Sequence, residues 1–256
     1  MSLPPPADVA IAALRWLEYA GLLGFIGVIV VRRLAAMPPA THWARVSMQP
    51  ALAAAFTGGV AVLVAESLRT GHLSSALVVR VAAEGVALVL CLYVHRWPVP
   101  PAIVAVLALP FAGHAALVNP AAGAIFVDAI HVLSAGAWAG GILVLATLRP
   151  PTGWGGGEGR AMLQRFGRVA FLAFAITALT GALRGTEELH GLSDLWGTPY
   201  GVVLSLKTAG VLSMVAISAL MWRRAFRYSR FEAVLVLVVL AFTSMLAAFP
   251  MPPGQA

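Results

Sequence analysis

Asp128 and His131 stand three residues apart in FVDAIHVLSAGAWAGG, and His114 precedes them in PFAGHAALV. Three apart on a helix puts the carboxylate and the imidazole on one face. A carboxylate there either ligates a metal itself or fixes a ligating histidine from behind. The VNPAAG connection between the two stretches is short, so the helices carrying His114 and His131 are expected to be antiparallel neighbours with their rings at similar depth. A lone histidine in an apolar helix usually serves packing through a hydrogen bond. Two on adjacent helices, one beside a carboxylate, fit a metal or cofactor site better. Imidazole accepts Cu(II), Cu(I) and Zn(II), and thioethers select Cu(I). Met245 and Met251 approach the same side from the last apolar stretch and its tail, and Met214 lies deeper. Methionine in such helices is otherwise adaptable core filler.

The remaining polar residues of the apolar stretches share this level. Arg15, Glu18, Glu66, Arg80, Glu84, Arg184 and Lys207 are set among Ala, Leu, Val and Gly. An ionisable side chain within a bilayer is costly and faces protein or water when it is kept. Arg15 with Glu18, Glu66 with Arg69, and Arg80 with Glu84 are three or four apart and can pair along a helix face. Such pairs have a structural purpose without any ligand, and Arg15 and Glu66 can also reach the interface by snorkelling. No arginine shares the face of Asp128 and His131. These two residues and His114 are therefore the candidate ligands. Glu18, Glu84, Arg80, Arg184, Lys207 and Tyr200 are the supporting polar residues.

These side chains need helices that cross a membrane. The chain is 60% hydrophobic and 11% charged, with a mean hydropathy of +0.89, far below the roughly 25% charged residues of soluble domains. About 20 apolar residues span the hydrocarbon core. Eight spans are expected, at 9–31, 48–68, 74–95, 99–118, 122–148, 166–187, 200–222 and 231–249, separated by clusters of Pro, Gly or charge. The prediction is an all-α polytopic membrane protein, a single eight-helix domain. The opening MSLPPPAD lacks the basic start of a signal peptide, so the first span is expected to stay in the membrane. The single cysteine, Cys91, rules out a disulfide framework and a CxxC clip. The glycines around 153–159 lack the GxxxxGK[ST] pattern and a preceding strand, so they are taken as a loop and not a phosphate cradle.

The positive charge reports topology. Arg32, Arg33, Arg45, Arg96, Arg149, Arg160, Arg165, Arg168, Arg223, Arg224, Arg227 and Arg230 follow the odd-numbered spans, and the alternate loops carry little beyond Arg69 and the acidic Glu187, Glu188 and Asp194. By the positive-inside rule the arginine-rich loops are cytoplasmic and both termini lie outside. The net charge of +7 thus gives no indication of nucleic acid. With this orientation all ten polar residues fall in the outer half, forming a polar cup above an apolar inner half that contains Cys91 and Trp138.

The motifs then resemble a known family. Gly113-His114-Ala115, Asp128-x-x-His131, Trp138-Ala-Gly-Gly, Arg165-Phe166-Gly-Arg-Val-Ala, Thr180-Gly181, Thr198-Pro-Tyr200-Gly201 leading to Lys207, Glu232 and a Pro-rich tail look like the copper resistance protein D family, in its order, over spans four to eight. The first three spans match only in being hydrophobic. The resemblance implies a bacterial inner-membrane protein that takes a copper ion, Cu(I) or Cu(II), from the periplasmic side for import or delivery. It implies His114 and His131 as copper ligands, Asp128 as ligand or support, and structural or gating roles for Tyr200 and Lys207. Family members often carry a periplasmic copper-binding β-sandwich. None is present in this sequence, so the expected partners are membrane lipid and a separate periplasmic copper chaperone.

Two other classes stay open. Two histidines on neighbouring helices can ligate a b-type haem, and the charges can instead serve a metal-binding assembly or structural subunit. No Ser/His/Asp order, HExxH or phosphorylated-Asp motif points to an enzyme.

Overall fold

The computed structural model describes residues 5–94, 97–113, 115, 120–189, 191, 193–221 and 229–249, without the side chains at 187, 188, 218–221, 229 and 230. His114, Arg96, Arg223, Arg224, Arg227 and Met251 lie outside the described residues. The described chain is helical throughout: α1 (Pro6–Ala35), α2 (Gln49–Thr70), α3 (Ser75–Val89), α4 (Val99–Ala108), α5 (Ala121–Ala135), α6 (Gly141–Thr147), α7 (Gly157–Glu188), α8 (Asp194–Gly197), α9 (Pro199–Met221) and α10 (Ser229–Ala248). A π-helical turn, Leu90–Val94, extends α3, and another, Gly136–Gly140, joins α5 to α6 in one rod. Among the described residues, seven helical stretches are long and apolar enough to cross a membrane. The stretch expected as the fourth span is a shorter apolar helix, Val99–Ala112, whose last turn tightens to 3-10 form at Leu109–Ala112, where Pro110 sits.

Local sequence sets several of the ends. Proline stands in the first turn of α1, α2 and α4, where its missing N–H costs nothing. α2 stops at Gly71, whose φ of 74° places it in the left-handed region as the closing residue. α9 starts at Thr198-Pro199-Tyr200-Gly201. The Thr198 hydroxyl accepts from the Gly201 N–H at 3.0 Å and donates to the Asp194 carbonyl at 2.9 Å. That motif is thus a capped helix start folded against α8.

α1 is the central helix. It packs on α2, α10, the α5–α6 rod and α7. One core joins Leu23, Val28 and Leu34 of α1 to Trp138, Ile142, Leu145, Met162, Phe166, Met214 and Leu240. A second joins Leu22 and Phe25 of α1 to Leu52, Ala87, Ala102, Val106 and Leu109. Helices in lipid approach closely through small residues, because no hydrophobic gain drives them together. Gly27 and Gly140 meet backbone to backbone, and Gly141 lies under the Phe166 ring. The Trp-Ala-Gly-Gly motif is therefore the crossing point of the rod with α1. Outward faces stay apolar, with Val64, Leu68, Phe126, Phe171, Leu179 and Leu212 exposed, as lipid contact requires.

At the end bearing the described loop arginines, Arg165 of α7 closes the α1–α2 connection. Its guanidinium donates to the carbonyls of Leu34, Met37, Pro38 and Pro39 at 3.0–3.2 Å. Trp43 meets Trp154 edge-on beside it, with centroids 5.8 Å apart. Arg165→Ala is expected to leave the four carbonyls without this donor and to speed proteolytic cleavage of the 36–48 loop several-fold, read by limited proteolysis in detergent.

Candidate metal site

His131 is held from behind. Its Nδ1 lies 3.0 Å from the Thr180 hydroxyl. That hydroxyl has one proton, which it donates to the Ile176 carbonyl at 2.7 Å. With its proton on a backbone carbonyl it accepts from His131, the arrangement in which Nδ1 carries the ring proton, and the Thr177 backbone also hydrogen-bonds this imidazole. The Nε2 lone pair is the one left to ligate. Ser134 and Thr177 extend the same seam: Thr177 Oγ1 lies 2.8 Å from both Ser134 Oγ and the Ala173 carbonyl, and Ser134 Oγ donates to the His131 carbonyl at 3.0 Å. Gly181 completes the seat. A Cβ there would lie 3.2 Å from His131 Cε1, closer than an ordinary contact.

Thr177, Thr180 and Gly181 were not among the residues expected from sequence to form the site. The sequence held the signal, since Thr177 and Thr180 are three apart and put two hydroxyls on one face of an apolar helix.

Asp128 lies on α5 with His131, half-buried like it. Arg184 and Lys207 act electrostatically on His131 from α7 and α9, and Arg184 is buried. A cation at this imidazole would meet two positive side chains, so a nearby carboxylate would be needed to offset them. Among the described residues no three His, Cys, Asp or Glu side chains converge as a metal cage, and His114 is not one of those residues. Tyr200 is buried at the start of α9, where it belongs to the capped turn.

The methionines divide. Met214 is buried in the same core as Val236 and Leu240, which is the filler role. Met245 is half-buried on α10, whose main neighbours are α1, α9 and α6.

The other charges pair between helices more than along them. Arg15 meets Glu66 at 3.0 Å and also reaches the Ala247 carbonyl, instead of pairing with Glu18. Glu66 also binds Arg69 at 2.7 Å, the expected pairing along the helix. Arg69 continues to Asp8 at 3.3 Å, tying the start of α1 to the end of α2. Arg80 turns to Glu18 at 2.6 Å. All these residues occupy the half of their helices remote from the arginine-rich connections.

The family described as Copper resistance protein D matches the chain over residues 160–249. Copper transport protein CutJ of Bacillus subtilis (strain 168) is 29% identical over 163 residues, covering 59% of this chain and 30% of that protein. The matched region thus spans less than a third of that relative's length. No solved structure matches.

Proposed function

From the assignment of residues 160–249 to the copper resistance protein D family, we propose that this chain is an eight-span protein of the bacterial inner membrane that binds copper from the periplasmic side and passes it inward or to a partner. Both termini are periplasmic and Val99–Ala112 belongs to the remaining span. Copper is the cargo, and no enzymatic step is involved.

The observation that carries this reading is the orientation of His131. In this reading the Thr180 hydroxyl accepts a hydrogen bond from His131 Nδ1–H, which leaves Nε2 as the metal-binding atom on the helix that also bears Asp128. A packing histidine would also want a hydrogen bond; what favours a ligand here is Asp128 on the same helix and the family match over residues 160–249. His114 supplies the second imidazole in this proposal, Asp128 balances the charge of Arg184 and Lys207, and Met245 offers a thioether on the exit or entry path. A periplasmic chaperone delivers the ion.

Metal analysis of purified wild type, His114→Ala and His131→Ala tests the site. Bound copper is expected in wild type and loss of most of it in either variant. Unchanged stoichiometry in both removes the assignment, and a Soret band in the same samples would replace it with haem. Thr180→Val keeps the shape but removes the acceptor. It is expected to weaken copper binding about 10- to 100-fold, measured by competition with a chelator, while Thr180→Ser stays close to wild type.

A further inference from the structure

Glu18, Arg80 and Glu84 form a second polar cluster that the copper proposal does not use. Glu18 and Glu84 are fully buried and Arg80 is 3% exposed. Arg80 Nε stands 2.6 Å from Glu18 Oε1. The two carboxyl groups lie within hydrogen-bonding reach of each other, yet no oxygen of either one finds an aligned donor, and Arg80 Nε faces Glu18 without hydrogen-bond geometry. Glycines of α2 make the room. A Cβ on Gly59 would run into Glu84 Oε2, and a Cβ on Gly58 would strike the α1 backbone at Glu18. The site is therefore shaped around the two carboxyl groups, and each lacks a donor as long as both are ionised.

Charge and hydrogen bonds lead to one answer. Two carboxylates face one guanidinium, which leaves one negative charge in a buried place. Arg15, the next cation on α1, also acts on Glu18, but it is engaged by Glu66 and the Ala247 carbonyl. α2 contributes Gly58 and Gly59 to the cluster, and α4, packed on α3, contains no ionisable residue. Tyr19 lies within electrostatic reach of Arg15, Arg80, Glu18 and, on α5, Asp128, but a phenol brings no positive charge. An uncompensated buried carboxylate is expensive. Two ionised carboxylates also cannot hydrogen-bond each other, since both only accept. One proton between them supplies the missing donor and removes the surplus charge together.

We infer that Glu18 and Glu84 hold one exchangeable proton between them, a carboxyl–carboxylate pair anchored on Arg80 that is a proton-binding site of this membrane domain. The site lies on α1 and α3, whereas His131 lies on α5, and it does not depend on the copper reading. Loading and release change only the O–H bond and switch the cluster between neutral and singly negative. That switch takes place where α1, α2 and α3 meet, so it is a charge change available to a proton-coupled step.

Infrared spectroscopy of the purified full chain in detergent at neutral pH tests it, with sodium chloride and with a sodium-free salt. The expected result is a protonated-carboxyl C=O band in wild type that shifts in D2O, is lost in Glu84→Gln and in Glu18→Gln, and is indifferent to sodium. Carbodiimide labelling of wild type, located by peptide mass, is expected on Glu18 or Glu84 and settles the residue even if both variants fail to fold. Absence of the band in both salts, its survival in both folded variants, or labelling confined to other carboxyls overturns the inference. A band present only without sodium makes the place a cation site and overturns it as well.

Discussion

Arg80→Ala is expected to destabilise the protein by about 3–5 kcal/mol, the cost of breaking a buried ion pair by removing one partner. The substitution leaves Glu18 and Glu84 side by side with no guanidinium, in a place where both are fully buried. Gly58 seats the α2 backbone directly on Glu18, so the two carboxyl groups stay within the helix packing after the substitution. The measurement is the unfolding midpoint in detergent, followed by tryptophan fluorescence. Replacing the pair together, Arg80→Met with Glu18→Met, removes both charges and is expected to recover most of the loss, since apolar replacements of buried pairs are often neutral or better. The non-additivity of that cycle is the signature of a direct pair. Arg80→Ala within about 0.5 kcal/mol of wild type would place the cluster in contact with water and remove the basis for its special role.

The position of the described polar residues along their helices was legible because it needs only span boundaries and the placing of the arginines. Helices of this length rise about 1.5 Å per residue, so an uncertainty of two or three residues moves a side chain by a few ångströms in depth. Pairing was less legible. Spacing along one helix suggested Arg15 with Glu18 and Arg80 with Glu84, whereas the bundle pairs Arg15 with Glu66 and Arg80 with Glu18. Which face of α1 meets which face of α2 or α3 is decided by Gly21, Gly58 and Gly59, and small residues give no periodic signal that names their partner. Glu66 with Arg69 held because that contact lies on a single helix.

The same division applies to the candidate site. Asp128 and His131 stood out as titratable residues in an apolar run. The residue that orients His131 is a threonine 49 positions away, and threonines are common enough in membrane helices to carry little signal alone. The resemblance had marked Thr180-Gly181, Trp138-Ala-Gly-Gly and Thr198-Pro-Tyr-Gly as fixed patterns without saying why. Packing gives the reasons: a seat for an imidazole, a helix crossing and a capped helix start. Only the first of these touches a candidate ligand.

Gly140→Ala and Gly123→Ala are expected to move stability in opposite directions, although each adds one methyl to the same helical rod. At Gly140 the new Cβ would run into the Leu23 carbonyl oxygen of α1, with the Gly27 nitrogen 3.3 Å away. Both are backbone atoms, so no rotamer change relieves the clash and α1 must move away from the rod. Overpacking of this kind costs about 1–3 kcal/mol and sometimes more. Here it falls where the helix bearing Glu18 crosses the rod bearing His131, so it is expected at the upper end, with lower copper retention as well. At Gly123 a Cβ meets nothing within 4 Å, and the helix gains the better propensity of alanine, up to about 1 kcal/mol. Thermal unfolding in the same detergent reads both. Equal effects of the two substitutions would mean that the Gly27–Gly140 contact does not set how α1 sits on the rod, and the geometry joining the two polar sites would need to be sought elsewhere.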